Sequence, residues 1–199
     1  MNEIISKEEL DSLSKVKGDV RGTGLKVASD FVLKERGEEG LKLLEETMSK
    51  LGYPVEYKRV EPSGFYPLKT DAMSFLVVSR LFNFDDEKIR KLGKALVTTP
   101  FLLRLFSKYS MSLDRISGAA PKVWEKAYPV GSLNIVEVNA KEKYLILRLE
   151  NFDILSLYCQ LFIGHFAEIV KMVLTKEVTC EETKCTFRGD PYHEFLLKW

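Results

Sequence analysis

Apolar side chains recur at three- and four-residue steps through most of the first 130 residues, then at two-residue steps in short runs. The first spacing places side chains on one helix face and the second on one face of a strand. The run 38–51 shows it clearly: Leu41, Leu44, Met48 and Leu51 fall on one stripe, with Gly52 where a helix ends and Pro54 beyond it. The same reading predicts helices over 6–16, 25–34, 70–82, 85–97, 101–111 and 112–128. Asp85 and Asp86 put acid at the start of one of them, where free amides favour it. Gly18, Gly22 and Gly24 break the pattern early, and Pro62, Ser63, Gly64 and Pro67 mark a loop.

After residue 130 the period changes. Residues 133–138 and 144–149 alternate and are β-rich, joined by Asn139, Ala140, Lys141 and Glu142 as a hairpin. A long helix over 153–174 carries Leu155, Cys159, Phe162, Phe166, Ile169 and Val173 on one face. Strands follow over 177–180, 185–187 and 192–199. The predicted fold class is α+β: a helical N-terminal half packed with an antiparallel sheet in a β-β-α-β-β C-terminal half. It is read as one ligand-binding domain over 1–199. Residues 1–17 form an extension, 18–130 the mainly helical part, and 131–199 the sheet, long helix and last hairpin.

Composition narrows the function. The 199 residues hold 30 Lys+Arg against 29 Asp+Glu, a net charge of +1, which argues against a nucleic-acid binder. The 45% apolar content is far from that of a disordered chain. Residues 1–18 have no apolar core of a secretory signal, and His165, Glu168 and Lys171 interrupt the one long apolar stretch, so no membrane span is expected. Three cysteines at uneven spacing are no disulfide framework, which points to a cytoplasmic location. Phosphate-loop, zinc-protease and nucleophile-elbow motifs are absent, and His165 and His193 alone leave few ways to build a triad. Residues 88–105 could mimic a DNA-reading helix pair, but Phe101, Leu102, Leu103 and Leu105 favour buried packing.

The segment 181–195 carries the chemistry. Gly189, Asp190 and Pro191 turn the chain so that Cys185 and His193 approach each other, Glu182 precedes Cys185 by three residues, and Cys159 faces inward from the long helix. Thiolate, imidazole and carboxylate are ligand types for a closed four-coordinate zinc. The same residues also read as small core and strand positions, because Cys-x7-His is no standard finger.

This segment resembles the closing motif of the 4-vinyl reductase (hydrocarbon-binding) domain family: a Glu, a Cys three residues on, then Gly-Asp-Pro-Tyr. A further Cys lies in the preceding helix shortly before a Gly, as Cys159 and Gly164 do. The family sits in a superfamily with heme-NO-binding domains and TRAPP vesicle-tethering subunits. The resemblance implies zinc at Cys159, Glu182, Cys185 and His193, with His193 replacing the family's Cys and with Cys180 and Glu177 as competing ligands. It covers 133–199 best. Heme-binding relatives use an axial His and a Tyr-x-Ser-x-Arg motif. Here stand Asp114, Arg115, Ile116 and Ser117, and between the strands Asn139 to Lys143, so heme is not expected.

The functional expectation is a non-enzymatic module that binds or senses a small hydrophobic or aromatic ligand, acting through a signalling partner or as a homodimer. Phe65, Phe75, Phe82, Phe101, Phe106, Trp124 and Phe162 are candidates to line its pocket. The alternatives are an accessory protein or reductase in tetrapyrrole vinyl-group metabolism, and a dimeric tethering-like scaffold.

Overall fold

Ser6 starts the first helix, α1 (Lys7–Ser14). Its hydroxyl accepts the Glu9 amide at 3.2 Å while the Glu9 carboxylate accepts the Ser6 amide at 3.0 Å, satisfying two otherwise free donors. The structure is a computed structural model that describes residues 4–97 and 113–199, with side chains from residue 117 in the second segment. The helix predicted over 101–111, with Phe101 and Phe106, lies outside the described residues.

Next come β1 (Asp19–Arg21) and α2 (Thr23–Lys50). The latter contains both helices expected at 25–34 and 38–51. Gly37, at φ 69° and ψ −167°, divides them, a conformation that glycine adopts without steric cost. After a short 3-10 turn, β2 (Phe65–Pro67) pairs antiparallel with β1. Neither three-residue strand is legible in the sequence, because so short a segment shows no alternation and Pro67 reads as loop. Then α3 (Leu68–Leu81) and α4 (Asp86–Val97) follow, the second capped by the Asp85 carboxylate, which accepts the Lys88 amide at 2.9 Å. The Arg80–Glu9 pair at 2.9 Å ties α1 to α3. The last helix of this half is α5 (Leu113–Ala127).

The C-terminal half is the antiparallel sheet expected. Its strands β3 (Ser132–Asn139), β4 (Tyr144–Glu150), β5 (Thr179–Lys184) and β6 (His193–Lys198) stand in the order β3-β4-β6-β5. Between β4 and β5 runs α6 (Leu157–Leu174). The fold class is therefore α+β with a helical N-terminal half. Two boundaries differ: the long helix starts at Leu157 rather than 153, so Leu155 precedes it, and the closing strands are divided otherwise. The strands expected at 177–180 and 185–187 are a single strand β5 followed by a 3-10 turn, Thr186–Arg188. Glu181, Glu182, Thr183 and Lys184 read as a polar loop, yet β5 is an edge strand with one wetted face, where such residues are at home.

Opposite residues on the inner face of the sheet meet as Leu145–Leu197, Leu147–Phe195 and Leu149–His193, all buried. Helix α6 lies between that sheet and α4. Its length and apolarity would suffice to cross a membrane, but the fold buries ten of its residues. Against α4 the approach is close: a Cβ on Gly164 would fall 2.0 Å from the Arg90 carbonyl oxygen, and one on Gly93 1.9 Å from that of Leu161.

Candidate functional site

Cys159 sits in the first turn of α6, Glu182 on β5, Cys185 just beyond it, and His193 at the start of β6. The loop between them is shaped by its own hydrogen bonds. The Asp190 carboxylate accepts the Cys185 amide at 2.8 Å, and the Cys185 carbonyl accepts the Arg188 and Asp190 amides at 2.9 and 3.2 Å. Gly189, at φ 93°, closes the turn. Register does the rest: Glu182 lies opposite Phe195 and so shares the inner face with His193 and the start of α6.

All four predicted ligands are brought together, one donor atom from each lying within 4.8 Å of the others. The two Sγ atoms are 3.5 Å apart, His193 Nδ1 is 3.9 Å from Cys159 Sγ, and Nδ1 is 3.0 Å from Glu182 Oε1. A tetrahedral zinc with Zn–S bonds of about 2.3 Å sets two sulfurs about 3.8 Å apart, so these spacings match the ion's demand. The outer contacts fit as well. His193 Nε2 lies 3.3 Å from the Phe152 carbonyl oxygen and 2.9 Å from Thr186 Oγ1. Without an ion Nδ1 donates to Glu182; with one bound, donation from Nε2 to the carbonyl would leave the Nδ1 lone pair free to ligate. Arg188 donates to Glu182 from outside at 3.2 Å. Cys180 and Glu177, the competing ligands, are not in the cluster, and Glu177 is paired with Lys171 at 2.7 Å.

Burial next to the Glu182 carboxylate and Cys185 pushes the Cys159 thiol well up, so without a cation it stays protonated. Burial also acts to raise Glu182, but hydrogen bonds to His193 and Cys159, with nearby Arg188, bring its carboxyl below the ordinary value. A thiol held protonated and an imidazole N–H, both facing an ionised carboxylate, form a set whose protons a divalent cation would displace.

A second feature lies on the other side of α6. The helices α5 and α6 and the strands β3 and β4 line a partly open cavity of about 70 Å³ walled by Ala120, Trp124, Leu147, Phe166, Val170 and His165, among others. A smaller one of about 50 Å³ shares His165, Tyr128 and Ala127 with it and reaches Asp71 and Phe75 on α3. Of the expected pocket aromatics, Trp124 and Phe75 line these spaces. Phe162 instead stacks among Trp124, Phe152 and Phe166, while Phe82 packs beside Phe84 and Phe65 is exposed under Arg21.

Asp71 was missed in the sequence, where it reads as an ordinary first-turn acid. The signal that could have found it was its place with Leu68, Phe75 and Val78 on the buried face. Burial raises its carboxyl to about 7 and lowers His165 to about 4, His165 Nδ1 lying 3.4 Å from the Gly93 carbonyl oxygen. These have opposite consequences. His165 titrates below its unfolded value, so its stability contribution is full above about pH 6.5 and falls by about 3 kcal/mol as pH drops to 4. Asp71 titrates above its unfolded value, so its contribution is full below about pH 4 and falls by about 4 kcal/mol as pH rises through 7. In the wild type the two offset each other. In urea melts between pH 4 and 7, His165→Asn is expected to make stability fall more with rising pH than in the wild type, and Asp71→Asn to make it rise. Parallel curves for all three proteins would contradict both assignments.

No protein-family model matches the chain, and no curated protein does. Solved structures do. A variant H-NOX (heme NO-binding) domain from T. tengcongensis is 16% identical at a TM-score of 0.59, covering 89% of this chain and 96% of that one. An S. oneidensis H-NOX protein in the Fe(II)NO state is 14% identical at 0.61, covering 89% and 98%. A third structure, described by its work on heme distortion in the H-NOX family, is 14% identical at 0.62 and covers 90% and 94%. At such identity the likeness is one of fold: the chain has the fold of H-NOX domains.

Two expectations are corrected. The 4-vinyl reductase family assignment falls, because the structural matches are H-NOX domains and no family model supports it, and the tetrapyrrole reductase reading falls with it. The exclusion of heme also falls: it rested on missing motifs, whereas the fold is that of structures described as heme proteins. Tested against the residues here, the donor fits and the described space does not. His165 supplies a neutral imidazole at the cavity wall, but the cavity, with Trp124 and Tyr128 stacked along it, is only about 70 Å³, too small for a macrocycle.

Proposed function

We propose that this chain is a non-enzymatic ligand-binding module acting in a reducing cytoplasm, with a small apolar ligand held in the cavity beside His165. Zinc at Cys159, Glu182, Cys185 and His193 serves as a structural clip. The observation that carries the ligand reading is a cavity of about 70 Å³ at the junction of α5, the sheet and α6, bordered by apolar side chains except at His165 and the Tyr128 hydroxyl. Such a space binds small apolar molecules when it is closed to water. The observation that supports the clip is the convergence of four donor atoms from a helix and two strands. Ligand occupancy shifts the balance between open and closed packing of α6, and a partner protein or second copy reads that shift.

The test begins with mass spectrometry of a denatured extract and thermal melts with cyclopentane. An apolar compound in the extract, or a melting point raised by cyclopentane in wild type but not in the cavity-filling Val170→Phe, is the expected result. No response in either assay would remove the reading. Hemin titration is the third arm. A Soret band retained on desalting and lost in His165→Gly would put heme, the group that the neighbours' descriptions name, in place of a small ligand.

A further inference from the structure

The smaller cavity is not apolar throughout. Asp71 is only 2% exposed, lines this space, and has one carboxylate oxygen bound: Oδ2 lies 3.3 Å from the Tyr158 hydroxyl, which donates to it. The Leu25 amide also stabilises the carboxylate, yet Oδ1 itself has no partner of full hydrogen-bond geometry among the described residues. A buried acceptor left in this state is costly and calls for an occupant. The backbone makes room for it. A Cβ on Gly24 would fall 2.1 Å from Asp71 Oδ1, so only glycine there admits the carboxylate at this position on the cavity wall. Two more polar groups border the same cavity. His165 uses Nδ1 on the Gly93 carbonyl, which leaves Nε2 as an acceptor, and Tyr128 brings a phenol to the same wall. The cation that also lines the space, Arg21, is directed to the Ser63 carbonyl at 2.5 Å and stacks over Phe65 at 3.9 Å.

We infer that this end of the cavity takes the primary ammonium of a small monoamine, with Asp71 Oδ1 as its counter-ion and the amine's apolar body in the larger cavity beyond His165. An ammonium has three N–H donors and no acceptor, which matches a carboxylate oxygen, a phenol oxygen and an imidazole nitrogen around one small space. A neutral alcohol leaves two of those acceptors unpaired. Tyr128 and His165 line both spaces, so the two cavities adjoin at these side chains. This inference rests on the ligand reading proposed above and adds the chemical class of the head group.

The probes are n-butylamine, n-butanol and cyclopentane, titrated at pH 8 into the full chain and followed by amide chemical shifts and melting temperature. The expected result is an amine bound at least tenfold more tightly than the alcohol, with that preference lost in Asp71→Asn while cyclopentane binding is unchanged. Asp71→Asn keeps an acceptor for Tyr158, so it is expected to fold, and its melt checks this. Tyr128→Phe is expected to weaken the amine about threefold. Equal binding of amine and alcohol by wild type, or an amine preference surviving in Asp71→Asn, overturns the inference while cyclopentane binding leaves the apolar cavity standing. An ordered water on Asp71 that no amine displaces overturns it too. Failure of all three probes overturns the ligand reading as well.

Discussion

Gly164→Ala is expected to destabilise the protein by about 3 kcal/mol and to lower its melting temperature by roughly 10 °C, while Gly164→Val is expected not to accumulate folded. The reason is the crossing of α4 and α6. The added methyl would stand 2.0 Å from the Arg90 carbonyl oxygen, and the obstacle is backbone, so no rotamer change relieves it. The helices must part, and with them goes the contact between His165 and the Gly93 carbonyl. The same argument applies from the other side to Gly93, whose Cβ would meet the Leu161 carbonyl oxygen. Gly118 is the control. It lies exposed within α5, where an added methyl would meet nothing within 4 Å, so Gly118→Ala is expected to stabilise by about 0.5–1 kcal/mol. Equal melting of Gly164→Ala and wild type would mean that the helices do not cross at this register.

The elements that the sequence revealed are those whose burial leaves a periodic trace. Leu41, Leu44 and Met48 are all buried on one face of α2, and Leu145, Leu147 and Leu149 alternate inward along β4, as their spacing implied. What escaped notice left no such trace. The strands β1 and β2 have three residues each, and β5 sits at an edge where Glu181 and Thr183 face water. Contacts between distant elements were equally silent. Nothing in residues 88–97 says that Gly93 will touch α6, and Asp71 is unusual only once its helix is known to be buried on that side.

The candidate metal cluster was legible for a different reason. Cys185, His193 and Glu182 within a dozen positions, with Cys159 on the adjoining helix, are ligand types, but their spacing fits no standard finger and the four-ligand set comes from the family resemblance. The register of β5 on β6 then brings them to one face. Residue types that serve a metal say little about ancestry, however, and the family drawn from the same segment did not hold: the structural matches are H-NOX domains across about nine tenths of the chain.

Removing metal from that cluster is expected to have the largest effect of a reversible kind. Protein purified in reductant without chelator or nickel is expected to carry about one zinc per chain, and dialysis against a strong chelator to lower its melting temperature by roughly 10–15 °C. That figure follows from about 4 kcal/mol for a ligand at a thousand times its dissociation constant, at roughly 2–4 °C per kcal/mol in a chain of this size. The loss is large because the site joins α6 to the last hairpin, and without an ion the buried Cys159 and Cys185 thiols face Glu182 with only His193 and Arg188 to offset its charge. Cys185→Ser is expected to abolish metal retention, whereas His193→Cys keeps it, since thiolate serves tetrahedral zinc as well as imidazole. Cys180→Ser, outside the cluster, is expected to be silent. Affinity should fall with acid, because the Cys159 thiol is held protonated by burial and must lose its proton to bind. If the purified chain holds no zinc and Cys185→Ser melts with wild type, the four side chains are packing and nothing more.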